Sequence, residues 1–274
     1  MKITMKVDYH LHTARCGHAA GTMADYVAAA AAGGLKEIGF ADHFPLELLG
    51  YTPQEQVNMA PGELAAYIAE VQWWQKKAPL PVRLGAEVDF LPGREKITAA
   101  VLAAYDFDYL IGSVHFLGDW DFTHPAYQER FQEVNIDRLY EQYFALIQQL
   151  AQSRLFQVVG HLDVIKKFAY FPRADWSLLV EETCQILKAG EICVEVNTAG
   201  WYAPAGEVYP GLSLLRRCRQ LGIPVTLGSD AHRPQDVGRD LERALQLLAE
   251  LGFREIATFA GGQCRLQPLV LNRS

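Results

Sequence analysis

The chain has 274 residues, 50% of them hydrophobic and 21% charged, which is ordinary globular composition with material for a sizeable core. A net charge of −7 argues against a general binder of nucleic acid or acidic membranes, because phosphate-backbone affinity needs clustered Lys and Arg. Five cysteines (Cys16, Cys184, Cys193, Cys218 and Cys264) form no C-x-x-C pair, no signal-peptide core is visible, and no apolar run reaches the ~18 residues of a membrane span; reduced thiols in a soluble cytoplasmic protein are expected.

Short β-rich runs alternate with Ala- and Leu-rich stretches of helical period. A first strand is predicted near 3–9, followed by a helix near 22–33 that Gly33 and Gly34 end. A strand near 37–41 leads through the irregular stretch 44–60 to a helix near 61–77 that Pro61 can open. Next come a strand near 82–89, a helix near 94–104 and a strand near 109–114. The aromatic, polar stretch 116–135 precedes a helix near 136–153. Three more units complete the series: strand 156–160 with helix 175–189, strand 192–197 with helix 211–221, and strand 224–228 with helix 235–250. Gly190 and Gly222 stop two of those helices.

Seven βα units without linker or repeat predict an α/β barrel, as a single domain over 1–274; a doubly wound open sheet would use the same units. The polar residues separate the two. Of eight histidines, seven (His10, His12, His18, His43, His115, His161 and His232) lie at or just beyond the C-terminal end of a predicted strand; His124 is the exception. Parallel barrel strands all point one way, so these residues converge on one rim. Alternate residues of a strand share a face, so His10 and His12 can reach one ion together. Asp8, Asp42, Glu87, Asp163, Glu195 and Asp230 lie in the same segments. Imidazole with carboxylate is the ligand set of Zn, Mn and Fe, and histidines gathered at one rim need cations to be satisfied. Two long stretches, 44–60 and 116–135, follow strand ends and are expected to be functional loops.

The ordered segments "DYHLHT…CGH", "FADHF", "GAEVDF", "GSVHFL", "GHLDVIKKF", "EVNTAG" and "LGSDAH" resemble the polymerase and histidinol phosphatase (PHP) family of metallophosphoesterases over about residues 7–240, and within it the histidinol-phosphate phosphatase branch. The resemblance implies a distorted (β/α)7 barrel with two to three divalent transition-metal ions, Zn, Mn or Fe. It implies a first ion at His10, His12, Glu87 and Asp230, a second at Glu87, His115 and His161 with Glu87 bridging, and a third at His18, His43 and His232. The implied activity is hydrolysis of L-histidinol phosphate to L-histidinol and phosphate, a step of histidine biosynthesis, by a metal-bridging hydroxide. Another small phosphate ester or a nucleotide is the alternative substrate.

On that reading Glu87, Asp230 and His232 are catalytic, and His43 helps hold a phosphate oxygen through the third ion. Arg15, Arg233, Lys166 and its neighbour Lys167 are the candidate phosphate cations. Asp230, Asp42 or a water on the metal can protonate the leaving alkoxide, and Asp119, Asp121, Glu195 or Glu207 can meet a substrate amine. Trp201 and Tyr202 follow "NTAG" where related enzymes often place an aliphatic and a basic residue.

Overall fold

Seven parallel strands stand side by side in a computed structural model that describes residues 2, 3, 5–269, 271 and 272. They are β1 (Val7–Leu11), β2 (Glu37–Phe40), β3 (Val82–Asp89), β4 (Tyr109–Ser113), β5 (Val158–Val159), β6 (Cys193–Asn197) and β7 (Val225–Gly228). Their order in the sheet is their order in the chain. The two edges meet beyond the ladder: the His12 N–H donates to the Ala231 carbonyl at 3.0 Å, and the Ala231 N–H to that of His10 at 3.1 Å. The result is the distorted (β/α)7 barrel, with every strand's C-terminal end on one rim.

The helices are α1 (Met23–Ala32), α2 (Leu64–Lys77), α3 (Glu95–Leu102), α4 (Ile136–Ser153), α5 (Ser177–Ala189), α6 (Leu212–Leu221) and α7 (Leu241–Glu250). Local chemistry sets their ends. Thr22 and Asp25 form a capping box that starts α1, and Gly222 ends α6 at φ 66°. In α4, Leu139, Tyr140, Tyr143, Phe144, Ile147, Leu150 and Ala151 recur at three- and four-residue spacing and are all buried. The last helix starts later than the predicted 235, because Pro234–Asp236 forms a 3-10 turn and Gly238 takes φ 71°. No helix among the described residues is long and apolar enough to cross a membrane.

Inside the barrel the ring of Tyr109 lies against Gly39 of β2 and Gly85 of β3, where a Cβ at either glycine would collide with it. The Tyr109 hydroxyl donates to the Tyr9 carbonyl at 2.6 Å. Phe259 stacks on Tyr109 with ring centroids 5.5 Å apart and meets Tyr9 edge-on at 5.2 Å. Phe259 belongs to an antiparallel hairpin, β8 (Glu255–Ala260) with β9 (Gln263–Pro268), that the sequence reading leaves unassigned. Its β8 strand buries Ile256, Ala257 and Phe259, whereas β9 is largely exposed.

The stretch 116–135 folds as a small hairpin, Phe116–Leu117 paired with Trp120–Asp121, followed by a 3-10 segment, Pro125–Gln132. It stands directly after β4 on the rim.

Candidate metal centre

Glu87, in β3, stands at the centre of the rim. Its side chain is buried, and its two oxygens face different histidines. Oε1 lies 2.9 Å from His161 Nε2 and 3.4 Å from His115 Nε2. Oε2 lies 2.9 Å from His43 Nδ1, 3.4 Å from His10 Nε2 and 3.8 Å from His12 Nε2. Asp230, after β7, reaches His12 Nε2 at 3.0 Å and His10 Nε2 at 3.8 Å.

Five overlapping trios of donors gather with their ligating atoms within 4.8 Å of one another; three are those the sequence implies (His10, His12 and Asp230; Glu87, His115 and His161; His18, His43 and His232), and His12 recurs in the other two, with His43 and Glu87 and with Cys16 and His232. The buried atoms test whether this set suits metal. His10 Nε2 and Glu87 Oε2 have no hydrogen-bond partner, although both are buried and they lie 3.4 Å apart. Buried polar atoms are nearly always partnered, so lone pairs converging unsatisfied fit a cation between them. Soft-to-borderline nitrogen donors with carboxylate oxygens suit a divalent transition metal.

Behind the donors stands a ring of carboxylates. His10 Nδ1 lies 2.6 Å from Glu195 Oε1, His115 Nδ1 lies 2.9 Å from Asp89 Oδ1, and His12 Nδ1 lies 3.4 Å from Asp42 Oδ1. The bonds to Glu195 and Asp89 fix the rings of His10 and His115 so that Nε2 points inward, while Asp42 faces His12 at ion-pair distance only. Asp89 is absent from the sequence reading. The signal was there: it is two residues after Glu87 in one strand, hence on the same face. Asp8 lies below the rim and joins β1 to the chain after β7 by accepting from the backbone N–H groups of Ser229 and Gly238, at 2.9 Å each.

The electrostatics divide the histidines. Burial opposes charge on His10, but Glu195, Glu87 and Asp230 outweigh it and hold its pKa well above the ordinary value. Burial likewise opposes charge on His12, yet bonds to Asp230 and Asp42 raise it to about 9. His115 rises to about 10 as Asp89 and Glu87 overcome its burial. His232 moves well below the ordinary value, through burial and the adjacent His12. His18 falls to about 4 through desolvation and its neighbours His43 and His12.

A cavity of about 440 Å³ opens over the cluster, lined by His18, His43, His115, His161, Asp230 and His232 among others. Of the four candidate phosphate cations, Arg15, Arg233 and Lys166 do not line it and Lys167 does. Arg15 turns outward to Glu70 of α2, with Nη2 to Oε2 at 2.7 Å, because that helix offers a carboxylate beside its turn. Arg233 is exposed at the head of the 3-10 turn 234–236 and lines no part of the cavity. Lys166 is buried in the opposite direction, bonding Asp163 and Glu207 at 2.9 Å each and the Val208 carbonyl at 3.1 Å. Lys167 lines the cavity instead, with Nζ donating to the Thr123 carbonyl at 2.8 Å. Asp42 is fully buried, and His124, which the sequence set apart, lines the cavity.

Burial raises the pKa of Asp163 to about 6 even though Lys166 pulls it down. Lys166→Met therefore leaves a buried carboxyl without its counter-charge. We expect a loss of stability of about 3 kcal/mol, read by urea denaturation. An unchanged midpoint would mean that the clasp contributes nothing.

Residues 8–199 match the family model described as PHP domain, and residues 215–241 match the one described as PHP-associated. The chain belongs to the PHP domain family. It is 40% identical over 91% of its length to a Deinococcus radiodurans protein named "Probable histidinol-phosphatase", covering 95% of that relative. It is 31% identical to the histidinol-phosphatase of Bacillus subtilis, over 88% of this chain and 98% of the relative. A crystal structure of the Lactococcus lactis histidinol phosphate phosphatase, complexed with zinc, L-histidinol and phosphate, superposes with a TM-score of 0.80 at 24% identity; it covers 95% of this chain and 98% of that one and shares its PHP fold.

Proposed function

We propose that this PHP protein is a metal-dependent phosphomonoesterase that converts L-histidinol phosphate and water to L-histidinol and phosphate. The observation that carries the reading is the cavity floor, where three sets of three donors meet around one buried glutamate. The relatives at 40% and 31% identity, both named for histidinol phosphatase, support the choice of substrate. A cavity of about 440 Å³ falls within the roughly 300–1,000 Å³ of small-molecule sites.

Two to three ions of Zn, Mn or Fe, once bound, lower the pKa of water and neutralise charge on the phosphoryl oxygens. His10, His12 and Asp230 hold the first with Glu87; Glu87, His115 and His161 hold the second; His18, His43 and His232 hold the third. Glu87 ties the first two sets together, one oxygen toward each. Glu195 and Asp89 keep His10 and His115 aimed inward, so that no reorganisation of those rings is needed when charge develops on phosphorus. Lys167 supplies the cation for the phosphate, being the sole Lys or Arg side chain that lines the cavity among the described residues. Of the two carboxylates considered for protonating the leaving alkoxide, Asp230 reaches the cavity and Asp42 is sealed beneath Thr13 and His12.

Phosphate release from L-histidinol phosphate, compared with a panel of phosphate monoesters, tests the reading. We expect a preference of at least about 100-fold in kcat/KM, a conservative figure beside the ~10⁴–10⁵ by which a site built to hydrogen-bond polar substrate groups rejects analogues lacking them. A value no better than the panel average rejects the substrate and leaves a phosphoesterase of broader range.

A further inference from the structure

We infer that Asp121 anchors a substrate ammonium group and makes this site select phosphate esters that carry a primary amine; the inference rests on the phosphomonoesterase reading above. The carboxylates near the cavity differ in what they already hold. Glu87 and Asp230 face the histidines, and Asp89 is bonded to His115 at 2.9 Å. Glu195 is buried behind His10, Glu207 bonds Lys166, and Asp119 is exposed and lies 3.6 Å from Arg130. Asp121 is different. It lines the cavity, is only 8% exposed, and has no cation within ion-pair distance among the described residues.

Its orientation is fixed by one oxygen alone. Oδ1 accepts from the Thr123 N–H at 3.0 Å, the Thr123 hydroxyl at 2.7 Å and the His124 N–H at 3.1 Å. Oδ2 takes no hydrogen bond from any described residue. Oδ2 is thus the open half of a pinned carboxylate at the cavity wall, placed to accept a charge-assisted hydrogen bond from a cationic donor of the ligand. The hairpin holds this group close to the reacting centre: Asp121 pairs across from Phe116, and the next residue, Phe122, donates its N–H to the carbonyl of His115 at 3.1 Å.

The same loop holds the opposite charge. Lys167 is bonded to the carbonyl of Thr123 and lines the same cavity. A cation and an anion held separately by one loop match a substrate with a phosphate at one end and an ammonium near it. A simple alkyl phosphate would leave Asp121 unpaired.

The test compares L-histidinol phosphate with its des-amino counterpart, imidazolylpropyl phosphate, and phosphoethanolamine with ethyl phosphate. In Asp121→Asn, the Oδ1 acceptor is kept, so the turn at Thr123 and His124 survives while the charge is lost. We expect the wild-type enzyme to prefer the amine-bearing member of each pair. In D121N that ratio of kcat/KM falls by about 10–100-fold, the scale of one charged hydrogen bond, with des-amino hydrolysis little changed.

If D121N keeps the full ratio, the inference is overturned and the phosphatase reading stands. Equal loss on both members of a pair, at unchanged metal content, also overturns it, since Asp121 would then merely support the loop. If L-histidinol phosphate is no better than the panel but the amine preference exists and D121N erases it, the named substrate falls and the anchor stands. Should D121N fail to fold, Asp121→Ser carries the same comparison, because its hydroxyl can take the turn hydrogen bonds.

Discussion

Glu87→Gln is expected to lower kcat for phosphate release by at least about 10³-fold. Removing one preorganised electrostatic group from an active site costs ~10²–10³, and Glu87 serves two donor sets at once, through Oε1 to His115 and His161 and Oε2 to His10 and His12, and also stands 2.9 Å from His43 of the third. Glutamine keeps the shape and loses the charge. Burial opposes ionisation of Glu87, yet His43, His10 and His115 outweigh it and hold its pKa well below the ordinary value. The wild-type group is thus an anion at working pH, and its neutral replacement would not balance the two ions proposed for these sets. Elemental analysis of the same sample should find metal lost from the sets that use Glu87. The trio His18, His43 and His232 contains no carboxylate and keeps its donors. Full activity with full metal content in this variant would sink the assignment of Glu87 as the bridge.

The histidines at the strand ends were legible because a parallel barrel turns order along the chain into position around a rim. Once seven βα units are read, "VDYHLH" and "LGSDAH" must end near each other, and the contact between His12 and Asp230 follows. The second layer was only half legible. Asp89 sits two residues after Glu87 and could have been read from strand period alone. Side-chain direction in the turns could not. Lys166 and Lys167 are neighbours in a short 3-10 turn that begins from Asp163 at φ 70°, and the phase of that turn decides which of them faces the cavity. Asp163 and Glu207 capture Lys166, and the second partner comes from a loop 41 residues away. Arg15 is likewise settled by Glu70 on another element. The C-terminal hairpin escaped because β9 is largely exposed and carries no alternating apolar pattern, so that only the packing of Phe259 on Tyr109 and Tyr9 gives it a place.

Metal uptake by the chelated protein should be strongly pH-dependent at two of the three donor sets and weakly so at the third. A metal takes neutral imidazole, so any proton held by the ligand must be displaced. His12 at about 9 and His115 at about 10 are protonated at pH 7, as is His10, which the carboxylates around it hold well above the ordinary value. Each displaced proton adds about tenfold in affinity per pH unit below that pKa. His18 and His232 are already neutral at pH 7, with pKa values lowered to about 4 and well below ordinary, so they release nothing. Zinc titration against a competing chelator between pH 6.5 and 8.5 should therefore give steep and shallow components; identical slopes for all ions would refute the division. The same shifts set the stability of the chelated protein. His10, His12 and His115 have raised folded pKa values, so their contribution is complete below the unfolded value near 6.5 and is lost as pH climbs toward 9 and 10. His18 and His232 are lowered, so the unfolded chain takes up their protons first and stability declines as pH falls below about 6.5. Melting of the chelated protein should peak near pH 6.5, whereas bound ions replace those protons and flatten the alkaline limb. A chelated protein whose melting temperature keeps rising to pH 9 would mean that these histidines are not held by their carboxylates.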